Sequence, residues 1–469
     1  MDATRLTALN MRTFTGSAFQ PAAPQETSVA FTITGQMIRG IHTCQTAPTL
    51  IHEMLNNGFD PKKLHILATS SGALAALCVG LNDAQSSDRG VQTQETIKKI
   101  EKFWLQFVSQ GGKSAISRTL RDNLTLIPRW VGAAVANGVR RKPIPSFPSW
   151  TPFRKAIEDA MRAIQDNWSF RNKNTGFDRI VSHPARMTLV TTEAQFKGKA
   201  RPIVSSAFKA LLRGLHYAVT TDPETVSQKI RTHVDTALEA AHNCFQPIYA
   251  VKPSEPTADI GTTLRTALPI RSGADMRAAT EATICIPGFY TPGFQGLPFG
   301  GRQLFDGVWS EGAPIEEALK QGATEVFVFN DGVAKNGSFA GNVRQREVLA
   351  QVVSNSQAPT IARWLERGLK AIRLDKIPYL RRAFHAVAGF RQVAERATRP
   401  EDLQTLLESY PKARIHVVGL PPSYPADKVD PVVGRFIVDD PSVITTAYNS
   451  GSEQVEAILE ILAEGREVA

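Results

Sequence analysis

Apolar residues along this chain gather in short runs divided by turn formers, and the runs alternate between strand-like and helix-like spacing. Ser28-Val29-Ala30-Phe31-Thr32-Ile33-Thr34 is β-branched and apolar and reads as a first strand. A turn over 35–40 follows, and 41–55 carries helical periodicity up to the stop signal Asn56-Asn57-Gly58. Leu64-His65-Ile66-Leu67-Ala68-Thr69 predicts a second strand. It runs through Ser70-Ser71-Gly72 into Ala73-Leu74-Ala75-Ala76-Leu77-Cys78, a small apolar stretch suited to a helix packed on a sheet. Farther on, helical spacing recurs over 92–110 (Ile97, Ile100, Phe103, Trp104, Phe107) and 226–245. Strands are predicted at 186–192, 325–329 and 414–418, with another ending at Asp306, and a helix over 452–463 closes the chain.

Short strands alternating with helices predict an α/β fold with a mainly parallel central sheet. The sequence shows neither an internal repeat nor a clear interdomain linker, which favours one elaborated domain. Residues 1–27 are polar and irregular and are expected to form a flexible, loosely attached N-terminal extension. The main region is 28–335, with a helical insertion near 111–150. A basic helical segment spans 336–410, and 411–469 supplies the strand and helix that complete the domain.

Composition narrows the class. Hydrophobic residues make up 42% and charged residues 21% of the 469, the balance of a soluble globular protein with ample material for a core. No apolar run approaches the roughly twenty residues that span a bilayer, and the polar start lacks the apolar segment of a secretory signal. The four cysteines, Cys44, Cys78, Cys244 and Cys285, are far apart and show no C-x-x-C spacing, so buried thiols in a reducing compartment are expected. The expected location is cytoplasmic, with delivery as a secreted effector left open. The histidines are scattered and no metal-binding spacing occurs, so no metal is expected.

The net charge of +10 is local. Residues 361–400 carry +7 and 111–142 carry +6, while the rest of the chain is slightly acidic. Arg363, Arg367, Lys370 and Arg373 recur at helical spacing beside Trp364, Leu365, Leu369 and Ile372, followed by Arg381 and Arg382. Basic residues flanking an apolar face describe a helix that could lie on an anionic bilayer, and equally a surface helix packed on its own domain. The apolar stretch 127–135 between basic flanks suggests a cap over an acyl groove, or a helical insertion with no gating role. No nucleic-acid-binding module interrupts the frame, so nucleic acid is not an expected partner. Oligomeric state is not legible.

The chemistry centres on Ser70. A serine on a sharp strand-to-helix turn is presented as a nucleophile when the residues two before and two after it are small. Here those are Ala68 and Gly72. Such a nucleophile needs a base and oxyanion donors. The turn Gly35-Gln36-Met37-Ile38-Arg39-Gly40 opens a helix and can offer its amides, and Asp306-Gly307 ends a strand where a carboxylate can serve as base. His42 and His65 are the candidates for a competing histidine base.

These three segments, in this order, resemble the patatin-like phospholipase family. In that family a G-G-G-x-R-G loop forms the oxyanion hole, G-x-S-x-G holds the nucleophile, and D-G-[GA] supplies the base of a Ser–Asp dyad. The first matches here at Gly35, Arg39 and Gly40, the second everywhere except Ala68, and the third at Asp306 and Gly307 but not at Val308. The run 279–290 resembles the family's approach to its aspartate, and Gly312-Ala313-Pro314-Ile315 with Ala318, Gly322 and Ala323 resembles its exit. The likeness covers 29–330.

The resemblance implies a three-layer α/β/α hydrolase fold with helical insertions and a cofactor- and calcium-independent serine esterase. Its substrates would be phospholipids or lysophospholipids, cleaved through an acyl-Ser70 intermediate with Asp306 as base. The amides of Gly35, Gln36, Met37, Ile38, Arg39 and Gly40 would form the oxyanion hole, with Arg39 bracing the loop or orienting a phosphate. Arg363, Trp364, Arg367, Lys370, Arg381 and Arg382 would contact an anionic membrane. Gln36 and Met37 stand where the family has glycines, and a Cβ there alters how closely the backbone approaches the oxyanion. The alternative is therefore a patatin-fold protein of weak or no catalysis that binds lipid or a protein partner.

Overall fold

The computed structural model describes residues 9–21, 27–34, 41–80, 175–195, 245–254, 266–285, 296–307, 310–329, 400–425 and 441–463. Ten strands form one mixed, mostly parallel sheet. They are β1 (Met11–Thr15), β2 (Val29–Ile33), β3 (Leu64–Thr69), β4 (Arg186–Ala194), β5 (Phe245–Lys252), β6 (Ala267–Pro269), β7 (Leu297–Phe299), β8 (Arg302–Asp306), β9 (Glu325–Phe329) and β10 (Arg414–Val418). The order is β1-β10-β9-β2-β3-β4-β5-β6, with β8 joining β4 and β7 joining β8. From β10 through β4 every neighbour is parallel, and so are β5 and β6, while β1 pairs antiparallel with β10, and β5 and β8 pair antiparallel with β4.

Side chains alternate across the sheet, so each strand feeds two cores. On one face Val29, Phe31 and Ile33 meet α1 (Thr43–Asn56), α2 (Gly72–Gly80) and α8 (Val455–Ala463), through Leu50, Ile51, Leu77 and Ile458. On the other face Ala30, Leu67, Val326, Val328, Ile415 and Val417 meet Ala318 and Leu319 of α5 (Ile315–Lys320) and Leu403 and Leu407 of α6 (Pro400–Ser409). Helices on both faces of a mostly parallel sheet are compatible with a three-layer α/β fold. Among the described residues no helix is long and apolar enough to cross a membrane.

Two sequence expectations need correction. Residues 1–27 are not wholly a loose extension. Met11–Thr15 is an edge strand in register with β10, Met11 facing Val418 and Thr15 facing Arg414, and Met11 is buried. Its apolar residues, Met11 and Phe14, are separated by two polar ones, and a scan for continuous apolar runs or strict alternation overlooks so short an edge strand. The helix expected over 226–245 cannot include its last residue, because Phe245 begins β5 and pairs with Ala194; the remainder lies outside the described residues, as do the segments 92–110, 127–135 and 361–399. Toward the end of the chain, the expected 452–463 helix begins as a 3-10 turn, Ser450–Gln454, before α8, and α7 (Pro441–Asn449) precedes it.

Candidate active site

Strand lengths bring the site together. β4 has nine residues, and β5 occupies one of its edges from Met187 to Ala194. Along the other edge β3 pairs only as far as Thr69 with Val190, and β8 arrives from the opposite direction, pairing Asp306 with Thr191 and Phe305 with Thr192. The two strand ends thus meet head to head on β4, leaving Ser70 and Asp306 side by side across a sequence separation of 236 residues.

Ser70 Oγ donates to Asp306 Oδ2 at 2.8 Å. Both residues are buried, Ser70 at 8% and Asp306 at 4% exposure. Ser70 has φ +54, one of two positive values among described non-glycine residues. A left-handed serine costs on the order of 1 kcal/mol or more and persists only where its surroundings impose it. Here they do so by close packing. A Cβ on Gly72 would lie 2.4 Å from the Ile33 carbonyl oxygen, and one on Gly307 would lie 2.2 Å from that of Val190. Glycine at both positions lets the turn and the end of β8 press against the sheet. α2 begins two residues beyond Ser70, so the positive end of its peptide dipoles faces any charge developing on Oγ.

Hydrogen bonds hold the dyad's backbone. The Ser70 amide donates to Thr283 Oγ1 at 3.0 Å, and the Thr283 hydroxyl donates in turn to the Val190 carbonyl. The Asp306 amide donates to the Cys285 carbonyl at 3.0 Å, while Thr192 Oγ1 donates to the Asp306 carbonyl at 2.8 Å. Ser310 Oγ lies 2.7 Å from Thr192 Oγ1 and reaches the Gly307 carbonyl at 3.2 Å.

Beside the dyad, Tyr249 OH donates to Glu311 Oε2 at 2.6 Å, and the Glu311 amide donates to the Gly307 carbonyl at 2.8 Å. Burial pushes the Glu311 carboxyl up to about 7, and it raises the Tyr249 phenol as well.

Neither histidine candidate takes the base's place. His65 is at the far end of β3, five residues or about 16 Å of strand from Ser70. Its Nε2 lies 2.8 Å from Thr188 Oγ1, and burial, helped by Arg186, holds its pKa well below the usual value. His42 is buried before α1, packed edge-on against Tyr424 with ring centroids 5.6 Å apart.

Of the residues singled out from sequence, Ser70, Asp306, Ala68 and Gly72 are gathered here, with Ala68 fully buried and paired to Ile33 and Leu189. The loop 35–40 and the basic residues Arg363, Trp364, Arg367, Lys370, Arg381 and Arg382 lie outside the described residues. The contacts of Thr192, Thr283 and Ser310 were not foreseen: Thr192 lies in the strand expected at 186–192, Thr283 in the run 279–290 and Ser310 in a turn, and only register reveals what each hydroxyl meets. Among the described residues no group of three or more His, Cys, Asp or Glu side chains is arranged to hold a metal ion. Comparison of the chain with protein-family models and with curated proteins finds no match.

Proposed function

We propose that this chain is a lipid acyl hydrolase of the phospholipase A or lysophospholipase type, with a patatin-like fold, acting through a Ser70–Asp306 dyad. The observation that carries the reading is the 2.8 Å hydrogen bond between Ser70 Oγ, on a left-handed elbow, and the Asp306 carboxylate. A structural serine needs neither the backbone strain nor a buried carboxylate as acceptor.

In this mechanism Asp306 accepts the Ser70 proton as Oγ attacks the ester carbonyl carbon. The oxyanion is stabilised by main-chain amides of the 35–40 loop. Collapse expels the alcohol, which takes the proton from Asp306, and leaves an acyl-Ser70 ester. Asp306 then deprotonates a water molecule that attacks the acyl carbon, and returns that proton to Ser70 Oγ as the fatty acid leaves. The basic, aromatic segment at 363–382 would hold the enzyme peripherally on an anionic membrane while the substrate enters.

The test is labelling by a fluorophosphonate probe together with fatty-acid release from a lipid panel, for wild type and Ser70→Ala. Labelling and release that vanish in Ser70→Ala support the enzyme. A folded wild type that takes no label and releases no fatty acid overturns it in favour of a non-catalytic lipid- or protein-binding role, the reading suggested by Gln36 and Met37 in the glycine loop. Charge reversal at Arg381 and Arg382 should weaken sedimentation with anionic vesicles; unchanged sedimentation removes the membrane contact from the proposal.

A further inference from the structure

We infer that Thr283 is a positioning residue for the nucleophile, and that the C-terminal end of its helix sets the geometry between Ser70 and Asp306. The inference rests on the dyad reading above and adds a residue to it.

The helix is α4 (Gly273–Thr283), and its two ends are anchored differently. At the start, Ser272 and Asp275 form a reciprocal capping box, and the Gly273 amide donates to Asp178 Oδ1 at 2.7 Å. This ties the helix to α3 (Thr175–Ser182) ahead of β4. At the other end, two residues hold the two halves of the dyad. Thr283 Oγ1 accepts the Ser70 amide, and the Cys285 carbonyl accepts the Asp306 amide. One helix terminus therefore holds both partners through their main chains.

The polarity of the Thr283 hydroxyl also matters. It is fully buried, and its single proton goes to the Val190 carbonyl. Its lone pairs are what it can offer the Ser70 amide. Thr69 pairs with Val190, and Gly307 closes on the same carbonyl oxygen. A donor–acceptor relay thus runs from Ser70 N–H through Thr283 to the point on β4 where β3 and β8 meet. It fixes the left-handed turn that aims Oγ at Asp306. A threonine or serine can both donate and accept in this way; valine, of the same shape, can do neither.

The experiment compares fluorophosphonate labelling rates and ester turnover of full-length wild type, Thr283→Val, Thr283→Ser and Thr280→Val. Thr280 is a control from the same helix. It is equally buried, and its hydroxyl donates within the helix to the Met276 carbonyl. Misplacement of a reacting group by an ångström costs about a hundredfold in rate. Thr283→Val is expected to lose about that much labelling rate and kcat with KM little changed, Thr283→Ser to restore most of it, and Thr280→Val to label as wild type does.

A second measurement reads the contact without activity: hydrogen exchange in a peptide spanning Ser70 should accelerate in Thr283→Val but not in Thr283→Ser. Equal labelling by wild type and Thr283→Val, or an equal loss in Thr280→Val, overturns the inference. A wild type that takes no label defeats the hydrolase reading instead, and the exchange measurement then decides alone whether Thr283 holds the turn.

Discussion

Two polar clusters on the same sheet invite comparison. At the junction of β3 and β8, a serine hydroxyl meets a carboxylate directly. At the opposite side of the sheet, across β1, β10 and β9, Thr13 Oγ1 lies 3.0 Å from His416 Nδ1, and His416 Nε2 lies 2.7 Å from Glu325 Oε2. By residue type the second cluster looks more like a catalytic triad than the first, because it contains hydroxyl, imidazole and carboxylate in sequence. Its backbone says otherwise. Thr13, His416 and Glu325 sit within regular strands, with Thr13 directly opposite His416. Arg414 engages Glu325 at 2.8 Å, packs 4.7 Å above the Phe19 ring and reaches the Ile461 carbonyl at 3.4 Å. His416 stacks on Phe327 at 4.5 Å. That cluster fastens three strands and α8 together. The junction has fewer chemical parts, but it places its hydroxyl on a strained elbow ahead of a helix, and presentation outweighs inventory.

The sharpest way to break the comparison is to remove each carboxylate. Asp306→Asn should lower turnover and fluorophosphonate labelling by about 10³- to 10⁴-fold while thermal unfolding stays near that of wild type. Glu325→Ala should do the reverse. It leaves the partly buried Arg414 without its counter-charge and should destabilise the fold by up to about 3 kcal/mol, read by denaturant unfolding, with activity per folded molecule unchanged. If Glu325→Ala lowers activity and not stability, the two clusters have been assigned backwards.

A smaller effect separates the carboxyls near each cluster, since Glu311 meets a phenol where Glu325 meets a guanidinium. Burial raises Glu311 from 4.5 to about 7, so between those values the folded chain keeps a proton that the unfolded chain releases. Its contribution to stability is complete below about pH 4.5 and is lost as pH rises through about 7, with a slope approaching ~1.4 kcal/mol per pH unit. Glu311→Gln should flatten that decline, seen as a melting temperature that falls less than wild type between about pH 5 and pH 7.5. The smallest effect belongs to Thr13→Val at the sheet edge, about 1 kcal/mol for one hydrogen bond, measured in the same unfolding experiment.

The fold was legible where strands are buried on both faces. β2, β3, β9 and β10 are runs of apolar and β-branched residues, and such runs announce themselves. β1 was not legible, because its five residues hold only Met11 and Phe14 as apolar positions, with Arg12 and Thr13 between them. Nor was β5, whose Gln246 and Pro247 interrupt its apolar run before Ile248. In the site, Ser70 and Asp306 could be read because a sharp elbow and a strand-ending carboxylate demand small neighbours at fixed positions. The contacts of Thr283, Thr192 and Ser310 could not, although Thr283 lies in the run 279–290 that carries part of the resemblance. A hydroxyl acquires its role from whichever carbonyl the register brings opposite it, and no local pattern encodes that.

The head-to-head meeting of β3 and β8 on β4 has a consequence in time as well as in space. A chain growing at about 5–20 residues per second exposes Ser70 some ~10 to 50 s before Asp306 has been synthesised. During that interval the serine lacks the carboxylate that will lie opposite it, and β4, the strand on which the two ends meet, is laid down before β8 arrives. A nascent chain, or one truncated before β8, would carry Ser70 without Asp306. The Ser70–Asp306 contact can therefore form only after nearly two thirds of the chain exists.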